Sequence, residues 1–581
     1  MIYNPLPKMP AGWIAKGAAL LKTFGPYALV EFLLPGGSLI ALGLWLYRHR
    51  RQQGQASGAR RTASRPPARR PVLRPPFPSR RILVSGVAAA LTAGCTVGPD
   101  FVRPAPPPAA YSRSLPSQGG AQSFAYGNDV AGDWYRLFRS DALDRLVRQA
   151  LSGNPDLASA RHGLSAAQDE LRAVSGSALP RIDATGQIGG AHINGSELYG
   201  PVGALDVTAS RYEIGPALAY NLDPFGGVRR SIESQRARTA AVGDQLRDTY
   251  VTLVDQVVIT AFDYAAVRAQ IKVTRSLVSE LQAQYDLTVQ LETAGKIIRS
   301  DTLQAQTQLE NVRATLPNLE QQRDAYRNAL ARLSGQTPDE FRMPDLTLAD
   351  FALPGQLPVS LPSTLVQQRP DVLAAQESLH AASAEIGVAE AARLPQLSLS
   401  AQYAQQTTRL GELFTQPGGV WSAGLGLAAP LFHGGTLAAR SDEAKERYAQ
   451  ALSAYQATVI GAFMDVADAL QALQHDADSY AAHNRALQAA SANQDLAGAQ
   501  YRAGKYTELQ VLTAQQQYQS AALTQVQADV QRFTDTASLF RALGGGWWNV
   551  RDHALLGSTA GADTPSSTDR YNPTSSGSSH D

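Results

Sequence analysis

The stretch RYEIGPALAYNL, residues 211–222, decides how the rest of the chain is read. Tyr212, Ile214, Pro216, Leu218, Tyr220 and Leu222 fall on one side; Arg211, Glu213 and Asn221 fall on the other. A period of two is that of a β-strand with one apolar and one polar face. Twelve residues is about the length that crosses a bilayer at a tilt. A soluble sandwich would alternate too. Tyr212, Tyr403 and Trp421 near strand ends favour a membrane barrel, whose aromatic residues gather at the two interfaces.

Three further stretches carry the same pattern. Ile182, Ala184, Gly186 and Ile188 alternate with Arg181, Asp183, Thr185 and Gln187. Leu397, Leu399, Ala401 and Tyr403 alternate with Gln396, Ser398, Ser400 and Gln402. Trp421, Ala423, Leu425, Leu427 and Leu431 alternate with Ser422, Gly424, Gly426 and Ala428. The spacing predicts strands over 181–190, 211–222, 396–404 and 420–431, joined in pairs by loops at 191–210 and 405–419. Four strands cannot close a barrel, and an open sheet edge is not tolerated in hydrocarbon. Several copies of the chain must therefore pool their strands.

The four strands belong to two internal repeats. NPDLASA at 154–160 answers RPDVLAA at 369–375, and LPRIDATGQ at 179–187 answers LPQLSLSAQ at 394–402. PFGG at 224–227 answers PLFHGG at 430–435, and Ala294-Gly295-Lys296 answers Ala503-Gly504-Lys505. After each strand pair comes a long proline-free run, 228–293 and 436–502, on the order of 100 Å if helical. Tyr455, Val459, Phe463, Val466, Leu470 and Leu473 step by four, four, three, four and three, as in a coiled-coil seam. Leu246, Tyr250, Leu253, Val257, Ala261 and Tyr264 do likewise. Gly295 and Gly504 stand where a helix C-cap is expected. Return helices follow at 300–333 and 507–543, the first kinked or broken at Pro317. The repeats span 133–345 and 346–548; residues 549–581, rich in Ser, Thr and Gly, read as a disordered tail.

The N-terminal part reads differently. Residues 26–47 are apolar and long enough to cross a membrane, and Arg48, His49, Arg50 and Arg51 would keep the far end cytoplasmic. Glu31, Pro35, Gly36 and Gly37 interrupt the segment, so a span and a non-spanning segment both stand. Residues 51–78 have the composition of a linker. Arg80 and Arg81, the short apolar run 82–93 and the Gly94-Cys95 end follow the order of a secretory signal. Cys95 is the only cysteine among 581 residues, which leaves no intrachain disulfide. We read 81–94 as a lipoprotein signal, with a lipid joined to the Cys95 thiol, and 95–132 as an extended, lipidated tether. A buried cysteine after an apolar run is the plain alternative. Residues 1–80 are expected to add nothing to the functional unit, and a translation start at Val72 would give a signal of ordinary length.

Three groups of motifs resemble those of the TolC/OprM-type outer-membrane efflux proteins, in particular their lipoprotein branch, the NodT-type factors of RND pumps. They are GCTVGPDFVRP after the signal, DWYRLFRSDALDRLVRQALSGNPDL at 133–157, and YRAGKYTELQVLTAQQ with ALGGGWW at 501–516 and 542–548. The resemblance covers about 95–548. It implies a mostly α, TolC-like chain that gives four strands to a trimeric, twelve-stranded membrane barrel, with a coiled-coil-like helical tunnel in the periplasm. It implies a homotrimeric exit duct in the outer membrane, fed by an inner-membrane RND pump through a periplasmic adaptor. The tips Ala294, Gly295, Lys296, Ala503, Gly504 and Lys505 match the family's adaptor contacts, although lysine replaces the usual apolar residue in both. A carboxylate constriction near the tips would draw on Asp286, Glu292, Asp301, Asp495 and Glu508; three-fold symmetry would gather three copies of each lumen-facing group, favouring cations.

No cofactor is expected beyond the lipid on Cys95. HExxH and cysteine clusters are absent. GAQYRAGKY at 498–506 has five residues between its glycines and no Ser or Thr after Lys505, so it is no phosphate loop. A net charge of +2 gives no reason to expect nucleic acid. Two other readings stand beside the efflux duct: an outlet for type I protein secretion, and a coiled-coil envelope anchor without a channel, against which the strand pairs argue.

Overall fold

A computed structural model describes residues 96–105, 118–119, 122–194, 206–415 and 418–550, all within the compact unit Ser85–Asp581. Cys95, the signal, the 26–47 segment and residues 551–581 lie outside them.

Two short strands come first, β1 (Gln118–Gly119) and β2 (Gln122–Tyr126), then helices α1 (Asp141–Gly153) and α2 (Pro155–Gly176). The first strand pair is β3 (Arg181–Asn194) and β4 (Asp206–Leu222). Helix α3 (Gly227–Thr293) has 67 residues, and its return leg is split into α4 (Arg299–Arg313) and α5 (Leu316–Leu333). Strand β5 (Gln356–Val359) and helix α6 (Pro362–Gln368) lead into α7 (Pro370–Ala391). The second strand pair, β6 (Gln396–Thr407) and β7 (Gly419–Ala428), is followed by α8 (Thr436–Arg502), also 67 residues, and α9 (Glu508–Ala542).

Several boundaries differ from the sequence expectation. β3 and β4 pair out to Asn194 and Asp206, so much of the expected 191–210 loop is ladder. β7 ends at Ala428, not 431: Pro430 has no N–H to give to a ladder. The residues expected to be an extended tether include β1 and β2, and β2 pairs in parallel with β5 (Phe124 opposite Leu357). The break in the first return leg falls at residues 314–315, just before Pro317, which sits in the first turn of α5 where its missing N–H costs nothing.

The main core lies around the middle of α3. Trp134 stacks on Phe540 at 5.0 Å, Phe138 meets Phe262 edge-on at 4.9 Å, and Phe262 meets Phe351 at 4.9 Å. Such aromatic pairs add about 0.5–1.5 kcal/mol each beyond their buried area. Leu246, Leu253, Val257, Val258 and Ala261 of α3 are buried in the same cluster. α3 is apolar enough over one window to cross a membrane, but that window is mostly covered by neighbouring helices. The two halves are closed by similar devices. Asn154 caps α2 and donates to the Leu333 carbonyl at the end of α5 (2.9 Å), while Arg369, just before α7, donates to the Ala542 carbonyl at the end of α9 (3.1 Å).

Candidate channel surface, strap and helix tips

β3, β4, β6 and β7 form one antiparallel sheet in that order, with β3 and β7 as its two edges. The register brings the apolar alternations into one continuous face. Ile182 lies opposite Leu218, Leu218 opposite Ala401, and Ala401 opposite Ala423. Leu222 lies opposite Leu397, which faces Leu427; Tyr403 faces Trp421. These side chains are unusually open: Ile188 is 75% exposed, Trp421 76%, Leu427 72% and Leu425 63%. At one end the face turns polar, where His192 meets the Thr208 hydroxyl at 2.8 Å, just beyond Ile188 and Tyr212. Tyr212 is thus inside β4 and at the edge of the apolar band. From Tyr212 to Leu222 the band runs about 35 Å along the strand, or about 25 Å at a 45° tilt, the height of a lipid-facing belt.

The opposite face is polar and small. Gln402 donates to Glu213 at 2.7 Å, Arg181 pairs with Asp183 at 2.7 Å, and Ser398, Ser400, Gly424 and Gly426 fill the rest. A sheet wet on one face, greasy on the other and open at both edges is unfinished as a single chain.

Residues 96–103 form a strap over the groove between α3 and α7. Arg230, only 4% exposed, donates to the carbonyls of Val97 (3.1 Å) and Gly98 (3.4 Å) and to the carboxylates of Asp100 and Glu233 (2.7 Å each). Phe101 stacks on His380 at 4.4 Å. Glu377 and Glu233 hold the His380 imidazolium above its usual range. Gly98 lies so close to Gly387 that a Cβ on it would stand 2.4 Å from the Gly387 Cα.

Both helix tips end in Schellman caps. Lys296 N–H donates to the Leu291 carbonyl (2.9 Å) and Gly295 N–H to that of Glu292 (2.8 Å). Lys505 and Gly504 repeat this on Gln500 (2.9 Å) and Tyr501 (2.8 Å). Gly295 and Gly504 take φ of 68° and 70°, the left-handed region that favours glycine. Residues 294–296 and 503–505 are exposed, so each Ala-Gly-Lys is at once a cap and a free surface.

The five candidate carboxylates do not form one group. Glu508 accepts from Gln284, which joins the start of α9 to α3. Burial, with the Glu508 and Asp301 carboxylates beside it, pushes the Tyr501 hydroxyl up to about 12. Glu508 and Asp301 therefore share the surroundings of Tyr501. Asp286 accepts from Gln282 of its own helix (2.9 Å), and both Asp286 and Asp495 are exposed; Glu292 is half-exposed. Sequence reasoning singled out neither Tyr501 nor Gln284, nor the buried carboxyls of the helices. Burial pushes Asp244 and Asp255 each up to about 6, against the nearby Arg247 and Arg541 cations. Burial and the Asp535 carboxyl push Asp476 up to about 7.

Residues 146–336 and 361–545 match the family described as outer membrane efflux protein. This chain belongs to that family. The probable efflux pump outer membrane protein TtgC of Pseudomonas putida is 30% identical over 495 residues, covering 84% of this chain and 99% of its own. The probable outer membrane lipoprotein SilC of Salmonella typhimurium is 27% identical, covering 79% and 97%. The solved outer-membrane channel OprN superposes with a TM-score of 0.70 at 29% identity, covering 78% of this chain and all of OprN. An efflux protein of this family resides in the outer membrane. The apolar sheet face gives that location its physical basis, since nothing else among the described residues would cover so many open large side chains.

Proposed function

We propose that this chain is the outer-membrane exit duct of a tripartite RND-type efflux system, passing small molecules outward without chemistry of its own. The observation that carries the reading is the open four-stranded sheet with one exposed apolar face. Its edges need partners in hydrocarbon, and more copies of the same strands supply them. Three copies would give a twelve-stranded barrel lined by Glu213, Gln402, Ser398 and Ser400. The 67-residue helices, about 100 Å long, would continue it as a periplasmic tunnel. The two internal repeats then act as near-equivalent staves.

The capped tips Ala294-Gly295-Lys296 and Ala503-Gly504-Lys505 are the surface we assign to the periplasmic adaptor, which links the duct to the inner-membrane pump. Asp301 and Glu508, grouped about Tyr501, are the members of the carboxylate set we assign to the tip constriction. A lipid on Cys95 would anchor the chain; the lipoprotein description of SilC and the signal-like residues 81–94 support it. The test is single-channel recording in planar bilayers with the purified trimer. Stepwise, ion-conducting insertions are expected. A trimer that inserts and never conducts would overturn the duct and leave only an anchor.

A further inference from the structure

Past the main core, toward the tips, α3 carries a row of cations. Arg268, Lys272 and Arg275 succeed one another along it and, with Arg323 of α5, line a cavity of about 610 Å³. The segment after α5, at Thr347 and Leu348, completes the wall, and no carboxylate among the described residues lines it. A second cavity, about 330 Å³, shares Ala269 and Lys272 with the first and extends it between α3 and α9. Together they make one trough from Ala265 to Glu280, about 22 Å along the helix. The cations can take a further partner. Lys272 is exposed and makes no ion pair among the described residues. Arg268 gives Nη1 to Asp345 and to the Leu346 carbonyl (2.7 Å), and Arg275 gives Nη2 to Glu320 (2.6 Å), which leaves N–H groups on each guanidinium for another acceptor. Arg323 pairs with its chain neighbour Asp324 at 2.8 Å. These three carboxylates stand off the trough wall and meet water, Asp345 being 86% exposed. Exposed pairs of that kind are worth about 0–1 kcal/mol, so an incoming anion can replace them.

Four positive charges along one groove make a site for an anion, and guanidinium forks suit carboxylate or phosphate. The phosphates of lipid headgroups are out of reach, since from Gly227 at the start of α3 to Arg268 is about 60 Å of helix. A protein partner would need an apolar pocket in which to anchor. Here the aliphatic groups of α3 on the wall, Ile271 and Leu277, are buried against neighbouring helices. The trough offers charge, the Gln519 amide, the Ser276 hydroxyl and the ring of Tyr518. Those groups suit a sugar chain that bears carboxylates. We infer that the trough is a docking site for an acidic glycan–peptide polymer of the periplasm, whose carboxylates pair with Arg268, Lys272, Arg275 and Arg323 while a sugar ring rests against Tyr518. The chain would then be tied to the wall polymer partway down its helices. The inference goes beyond the duct reading and needs only the outer-membrane location, not conduction.

The test uses the purified full-chain trimer, in sedimentation with isolated peptidoglycan sacculi and in titration with their soluble disaccharide–tetrapeptide. Lys272→Glu with Arg275→Glu should weaken sedimentation at least tenfold, and Lys272→Arg should leave it within twofold. Sacculi with amidated carboxyls should carry down at least tenfold less of the parent trimer. Equal sedimentation of the parent and the charge-reversed trimer, or of the parent with native and amidated sacculi, overturns the site. The disaccharide–tetrapeptide should bind more tightly than free glutamate; equal affinity assigns the trough to small carboxylates and overturns the polymer. Where the double variant yields no trimer, Lys272→Gln takes its place, because that side chain is exposed and supports no contact of the fold. A loss of at least threefold is then expected, and an unchanged trimer overturns the site. Single-channel conductance recorded on the same variants shows separately whether the duct reading fails.

Discussion

Arginine at residue 425 would test the sheet reading most directly. Leu425 is 63% exposed, near the middle of β7, and faces Leu399 across the ladder. If that face meets lipid, Leu425→Arg places a guanidinium close to the bilayer midplane, at a cost of about 2–4 kcal/mol per chain. With three identical strands in one barrel the cost is about 6–12 kcal/mol, since each copy is far enough from the others to add. Ser400→Arg is the matched control. It lies on the adjoining position of β6, opposite Gly424, on the face assigned to water, where there is room and no hydrocarbon. The assay is the amount of heat-resistant trimer in isolated outer membranes at equal expression. At 1.4 kcal/mol per tenfold, Leu425→Arg should fall by at least tenfold while Ser400→Arg stays within twofold of the parent. Equal recovery of the two variants, or loss of Ser400→Arg alone, would refute the assignment of faces and with it the barrel.

Three other variants give independent checks. Arg230→Met removes the guanidinium that joins the Val97 and Gly98 carbonyls and the Asp100 carboxylate to α3, costing about 1.5–3 kcal/mol; limited proteolysis should release residues before 104 while the helical body stays intact. Asp255 has a folded-state pKa of about 6, above its unfolded value, so its neutral form favours folding. That contribution is whole below about pH 4 and is lost as pH rises through about 6, amounting to about 3 kcal/mol; Asp255→Asn should melt higher than the parent at pH 7.5 and alike at pH 4, and equal pH slopes in the two would count against a buried carboxyl. Gly295→Val with Gly504→Val forces a β-branched residue into the left-handed region at both tips, at roughly 1–2 kcal/mol each or more. Trimers should persist, since nothing crowds either Cβ position, while dye accumulation in cells rises if the tips meet the adaptor; unchanged accumulation would remove them from that contact.

The sequence was legible wherever a local period repeats. Alternation over 211–222 lies inside β4, and the proline-free runs lie within one residue of α3 and α8. Pairing at longer range left no such trace. β2 and β5 are five and four residues long and meet across more than 230 positions, so neither shows a period of its own. Arg230 reads as one more charge on a helix until the strap folds over it, because its partners lie about 130 residues upstream. The Tyr501 group was hidden for the same reason: Gln284 and Glu508 are 224 residues apart. The end of β7 was misplaced because hydrophobic alternation ran on through Leu431 although Pro430 had already closed the ladder.

The equal length of α3 and α8 places a restriction on how such a chain can change. Each added residue lengthens a helix by about 1.5 Å and turns its far end by about 100°. One insertion in one of the two would lift one tip out of level with the other and swing its seam away from its neighbours. Seven residues, close to two full turns, restore the facing but still leave a step of about 10 Å between the tips. A duct of this kind can grow or shrink only when both helices change together, and each return leg with them, by whole pairs of turns. Its reach toward a partner across the periplasm is therefore quantised, and a partner of slightly different height cannot be met by small edits to either half alone.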